Sequence, residues 1–207
     1  MALSGVPSQT AKTSHKMVVA SHRSAVFLDR DGVICRSKVI NGKPFAPRLL
    51  EEFRLLPRVV ESVQQLKQAG FYVIVVTNQP DIGNGLVAPS VVDAMHERMR
   101  YELELDDILM CPHKQTAGCF CRKPQPGMIL SAAKRFGIDL SASFMVGDRR
   151  TDILSGISAG CYTIFVRRGS GYGENRGIDI PANKVVGSLP AATRHILERV
   201  NHVANRI

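Results

Sequence analysis

Residues 25–34 read AVFLDRDGVI: four apolar residues, two aspartates separated by one arginine, then a glycine. A short apolar run bounded by charge fits a strand buried on both faces. Residues i and i+2 of an extended chain point to the same side, so the spacing brings the carboxylates of Asp29 and Asp31 together at a strand tip. Two ionised carboxylates that close need a shared proton or a bound cation. An oxygen-only site suits magnesium, which takes one or two carboxylates along with substrate phosphate and water. On DRDG alone the competing reading is a polar turn leaving the strand, which aspartate and glycine often make.

The same pattern recurs downstream. FYVIVV (71–76) is continuously apolar and runs into Thr77, Asn78 and Gln79; ILM (108–110) runs into Cys111; SFMVG (143–147) runs into Asp148; CYTIFV (161–166) completes the series. Between these runs lie helical stretches: RVVESVQQLKQAG (58–70), SVVDAMHERMRYELEL (90–105), PGMILSAAKRFG (126–137) and residues 151–159, with LPAATRHILERV (189–200) at the end. Residues 167–187 read as a loop. Strands alternating with helices imply βαβ units and a parallel sheet. The expected fold is therefore α/β, a Rossmann-like three-layer sandwich with a mostly parallel sheet and no large cap domain. Open sheets of this kind bind ligands beyond the carboxyl ends of their strands, where the polar clusters fall.

With 207 residues, the chain has the length of one domain. Residues 1–24 contain no acid and no apolar secretory core, which predicts a flexible leader ahead of a single domain over 25–207. The net charge of +9 attracts phosphate-bearing partners, but the basic residues are dispersed and aromatics make up only 6%. That argues weakly against a stacking platform for single-stranded nucleic acid, and the charge alone points to an anionic ligand without saying which. No apolar run reaches the roughly 18–20 residues of a membrane span. Five cysteines, an odd number without a secretory signal, fit a reducing cytoplasm better than a disulfide framework.

Three of those cysteines lie in CPHKQTAGCFC (111–121), which offers Cys111, His113, Cys119 and Cys121. A Cys₃His set is typical of closed, structural zinc sites, and soft thiolates would not select magnesium. The zinc is expected to staple this loop and thereby hold Arg122 and Lys123 in place. Cys35 and Cys161 lack local partners and read as ordinary residues. Asp148 supplies a third carboxylate after a strand. Asp152, four residues on, either holds a basic partner or caps the first helical turn. Thr77 can hydrogen-bond a phosphate oxygen, and Lys123 can neutralise charge developing on a transferring phosphoryl group.

Taken together, these residues resemble the haloacid dehalogenase (HAD) superfamily of phosphatases. FLDRDGVI is similar to its first motif, VVTNQ to its second, the lysine of CRKPQPGM to its third and VGDRRTD to its fourth, in that order over about residues 25–166. The pattern CPH…CxCRKPxPGM resembles the heptose 1,7-bisphosphate phosphatases and, less closely, the bacterial histidinol-phosphatases. The resemblance implies that Asp29 is the nucleophile and Asp31 the general acid and base. It also implies that Asp29, the Asp31 backbone carbonyl and Asp148 hold Mg²⁺, while Thr77 and Lys123 clamp the phosphoryl group. Asn78, Gln79, Arg122 and Arg149 would contact a small phosphorylated sugar. The expected protein is a cytoplasmic monomer requiring Mg²⁺ and Zn²⁺. The weighed alternatives are a histidinol-phosphatase, a nucleic-acid 3′-phosphatase and a non-catalytic zinc-stapled binding module.

Overall fold

A computed structural model describes residues 23–41, 43–167 and 181–204. Residues 1–22 of the expected leader and 168–180 of the expected loop lie outside these. In chain order the elements are β1 (Ala25–Leu28), β2 (Lys38–Ile40), β3 (Lys43–Phe45), a 3₁₀ turn (Leu50–Glu52), α1 (Val59–Gln68) and β4 (Tyr72–Asn78). There follow α2 (Pro80–Gly83), α3 (Pro89–Leu103), β5 (Asp107–Cys111), α4 (Gly127–Phe136) and a second 3₁₀ turn (Leu140–Ala142). The chain then forms β6 (Phe144–Gly147), α5 (Arg150–Ala159), β7 (Tyr162–Val166), β8 (Lys184–Val186) and α6 (Leu189–Ala204).

The main sheet has the order β5-β4-β1-β6-β7-β8, and every pair in it is parallel. The opening run supplies its centre: Leu28 registers with Val75 on one side and Val146 on the other. All four β1 side chains are fully buried, each worth about 1.5–3 kcal/mol where the residue is a large apolar one. Alternate residues feed opposite faces. Val26 and Leu28 pack with Val59, Val63 and Leu66 of α1, Met95 and Met99 of α3, and Ile196 of α6. Ala25 and Phe27 face Met128, Ile129 and Ala132 of α4 and, near the end of α5, Ala159. Helices on both faces of a parallel sheet make the three-layer sandwich.

Three strands depart from the reading of the sequence. β8 extends the sheet by parallel pairing with β7 inside the stretch expected to be loop. β2 and β3 form a separate antiparallel hairpin near the carboxyl edge. Among the described residues no helix is long and apolar enough to cross a membrane.

Candidate active site

The strands β1, β4 and β6 deliver their next residues to one edge. Asp29 is fixed there by its backbone N–H, which donates to the Val146 carbonyl at 2.9 Å. Lys123 reaches it from the loop before α4, its Nζ lying 2.6 Å from Asp29 Oδ1, 2.7 Å from Asp152 Oδ1 and 2.7 Å from the Val76 carbonyl. Asn78 anchors that lysine through its main chain. Its amide donates to the Lys123 carbonyl and accepts from the Lys123 N–H, both at 3.1 Å. Asp152 accepts from the Arg149 N–H at 2.9 Å with its other oxygen, so it both holds a basic partner and caps α5.

Asp29, Asp148 and Asp152 each offer a carboxylate oxygen within 4.8 Å of the others. Gly32, at φ +93, makes this approach possible, because a Cβ there would overlap the Asp148 carboxylate. The three acids are buried against one lysine, and the proton affinities of Asp29 and Asp148 show the strain. Asp29 is pushed up to about 6, chiefly by burial and then by Asp152, with Lys123 opposing. Asp148 is pushed well above the usual carboxylate range by burial, Asp29 and Asp152. Excess buried negative charge on an all-oxygen donor set fits a hard divalent cation such as magnesium.

Asp31 is not part of that cluster. Its carboxylate turns to Arg30, whose Nε lies 3.1 Å from Oδ1 and whose Nη2 lies 3.0 Å from Oδ2. Gln79 donates to Oδ2 at 2.7 Å and to the Thr77 hydroxyl at 2.8 Å, and the Cys35 thiol donates to Oδ1 at 3.2 Å. Burial alone would raise the Asp31 pKa, but Arg30, with Gln79 and Cys35, holds it below the ordinary carboxylate value. The two carboxylates of DRDG, expected together at the strand tip, thus have separate partners, Asp29 with Lys123 and Asp31 with Arg30. The chain leaves the strand after Leu28 and turns, which separates their surroundings. Cys35, read as ordinary, is hydrogen-bonded to a site residue.

The zinc candidates converge as expected. Cys111 Sγ lies 3.5 Å from His113 Nδ1 and 3.5 Å from Cys119 Sγ, and Cys121 Sγ lies 3.2 Å from His113 Nδ1. Tetrahedral zinc with bonds of about 2.3 Å to sulfur and 2.0–2.1 Å to nitrogen requires ligand separations of about 3.5–3.8 Å, close to those present. All four ligand atoms fall within 4.8 Å of one another. The spacing is far too long for a disulfide, and the cysteines are free. Gly127 lets this loop rest on α4, since a Cβ there would meet the Phe120 backbone. Arg122 follows the last cysteine, its Nη1 buried with no hydrogen-bond partner among the described residues. Arg149 reaches the hairpin, its Nη2 lying 3.4 Å from the Pro44 carbonyl.

Arg30, Cys35 and His96 were not singled out from sequence. His96 left a signal there. Val92, Met95, Met99 and Leu103 recur at helical spacing on the buried face of α3, and His96 is the polar residue within that stripe.

A HAD-hydrolase-like family model matches residues 120–192. D-glycero-beta-D-manno-heptose-1,7-bisphosphate 7-phosphatase of Pseudomonas aeruginosa is 36% identical over 154 residues, 72% of this chain and 84% of that protein. The chain belongs to the heptose bisphosphate phosphatase family of HAD-like hydrolases. The Bordetella bronchiseptica enzyme of the same name is 35% identical over 187 residues, 88% of this chain and 96% of the relative. The crystal structure of D,D-heptose 1,7-bisphosphate phosphatase from B. bronchiseptica, complexed with magnesium and phosphate, superposes with a TM-score of 0.75 at 31% identity. It covers 85% of this chain and 99% of that one. Like its relatives, this member of the family is a phosphomonoester hydrolase.

Proposed function

We propose that the protein removes the 7-phosphate of D-glycero-D-manno-heptose 1,7-bisphosphate, releasing the heptose 1-phosphate for cell-surface polysaccharide precursors. The observation that carries this reading is the carboxylate cluster with its buried lysine at the carboxyl edge, in a chain of this family. Asp29 is the nucleophile. Lys123 holds Oδ1, which aims Oδ2 at phosphorus. The Asp29–phosphorus bond forms as the bond to the sugar oxygen breaks, leaving an aspartyl-phosphate. Asp31 gives the departing oxygen a proton, then takes one from the water that releases phosphate. Its depressed proton affinity suits the second role. A phosphate dianion bound beside Asp31 raises that affinity for the first.

Magnesium, which Asp29, the Asp31 carbonyl and Asp148 would hold, screens carboxylate from phosphate and stabilises the charge of the transition state. Asp152, with both oxygens engaged by Lys123 and the Arg149 N–H, orients the lysine. Thr77 and Lys123 clamp the phosphoryl oxygens. The unpartnered Arg122 Nη1 supports recognition of a second anionic group, with Asn78, Gln79 and Arg149 shaping the remaining wall. We take the monomer as the working unit. Its unpaired thiols fit a reducing cytoplasm.

Phosphate release with magnesium, measured over heptose 1,7-bisphosphate, histidinol phosphate and a 3′-phosphorylated oligonucleotide, tests the substrate. Heptose bisphosphate should be turned over with the highest kcat/KM, and Asp29→Asn should abolish it. Preference for histidinol phosphate or the oligonucleotide would overturn the assignment.

A further inference from the structure

We infer that His96 is a positioning residue for the reaction: it fixes the far edge of the Arg30 guanidinium, and Arg30 thereby holds the Asp31 carboxylate in line with the leaving oxygen. The inference rests on the reading of Asp31 as general acid and base, and it adds two residues that reach the chemistry only through others.

Arg30 is fully buried and is the largest side chain so enclosed among the described residues. Removing a guanidinium from water costs several kcal/mol unless every edge is met. A guanidinium is a rigid planar fork with five N–H donors, and the donors are distributed here by task. The Nε and Nη2 edge lies against both Asp31 oxygens at 3.1 and 3.0 Å. Nη2 also donates to Gln79 Oε1 at 2.9 Å, and Gln79 returns a bond to Asp31 Oδ2. Nη1 points the other way and lies 3.4 Å from His96 Nε2 on α3. Two contacts on one edge allow the plane to pivot about Asp31. The imidazole on the opposite side opposes that motion.

Nε2 accepts from Nη1 only when the ring is neutral and carries its proton on Nδ1. The surroundings enforce the neutral form. Burial, then Arg30 and Arg100, push the His96 pKa down to about 4, and Asp31 opposes weakly. Around it the buried residues of α3 are Val92, Met95, Met99 and Leu103. A leucine at 96 would fill the same layer but would leave Nη1 without an acceptor.

Leaving-group chemistry separates positioning from simple structural support. Nitrophenolate departs without a proton, whereas a sugar alkoxide needs one, so formation of the aspartyl-phosphate depends on a well-aimed Asp31 only for the sugar ester. Hydrolysis of that intermediate uses Asp31 as base with either ester, and kcat/KM, which reports only the steps up to its formation, leaves that stage out. The test compares wild type, H96L and H96Q with magnesium on heptose 1,7-bisphosphate and on p-nitrophenyl phosphate. H96L should lose about tenfold or more in kcat/KM on the sugar ester, part of the 10²–10⁴ that general acid–base catalysis supplies. Its loss of kcat/KM on the nitrophenyl ester should be below about threefold. H96Q, whose amide oxygen can accept from Nη1, should recover most of the rate. Equal losses of kcat/KM on both esters, or none, would overturn the inference.

Should wild type release no phosphate from heptose bisphosphate, the substrate assignment fails by itself and a second readout decides this one. The Arg30 Nε–H signal in ¹⁵N-resolved NMR should be slowly exchanging in wild type and H96Q and displaced or lost in H96L. An unchanged signal in H96L would refute the relay. If H96L does not fold, H96A takes the same measurements.

Discussion

At the residue scale, Lys123 decides whether the edge of the sheet can carry three acids at all. It is 3% exposed and is the ammonium shared by Asp29 and Asp152. Removing one partner of a buried pair strands the other charge, at a cost of about 3–5 kcal/mol. K123M should therefore lower the unfolding free energy of the metal-free protein, read from urea titrations, by that order. Adding D152N should recover part of the loss, because one of the two stranded carboxylates is then neutral. If K123M is as stable as wild type, the lysine is not compensating these acids. Its place in the sequence was readable: it follows the zinc cysteines, as Asp29, Thr77 and Asp148 follow apolar runs. Arg30 was hidden because alternation along a strand sends it away from its flanking aspartates. The chain in fact turns at Asp29 and carries Arg30 inward. Cys35 gave no signal, since its partner Asp31 is reached through that turn.

At the element scale, the loop from Pro112 to Cys121 has no helix or strand to hold it, yet it sets the position of Lys123 and Arg122. Its clamp to β4 is the reciprocal Asn78 pair on the Lys123 main chain. A structural zinc site contributes folding free energy directly, so the loop should melt before the sheet when the metal is stripped. C121S, or prolonged chelation, should release about one zinc per chain. It should cut kcat by at least about tenfold while leaving the far-ultraviolet circular dichroism largely intact. Zinc released to a colorimetric chelator, followed in parallel with turnover, checks this. Full activity after complete zinc loss would remove the staple from the mechanism. The zinc set was legible because four ligands fall within eleven residues of sequence. β8 was not. Lys184–Val186 is three residues long and mostly exposed, and docking on β7, not local pattern, makes it a strand. The hairpin β2–β3 is equally short, with Lys38, Val39 and Ile40 all exposed, so nothing periodic marks it.

For the whole molecule, five of the six parallel strands and the two helical layers followed from alternation alone, because buried runs leave a continuous apolar mark. The electrostatics of folding did not, since they depend on which titratable groups the layers enclose. His96 lies between α3 and the sheet with its pKa pushed from 6.5 to about 4, first by burial and then by Arg30 and Arg100. Below pH 6.5 the unfolded chain takes up a proton there that the native protein refuses, so stability present above that pH is lost as pH falls towards 4. Asp29 acts in the opposite sense. Raised to about 6, it stays protonated in the native state while the unfolded chain has already released its proton, which favours the fold as pH falls through 6. Asp29 is common to wild type and H96Q, so its contribution cancels in the difference between them. Between pH 7.5 and 4.5 wild type should therefore lose about 2–3 kcal/mol more than H96Q. Urea midpoints of the metal-free proteins, taken at half-unit steps of pH, measure that difference. Parallel curves would mean that His96 titrates normally, and the neutral acceptor that Arg30 Nη1 requires would then be absent at moderately acidic pH.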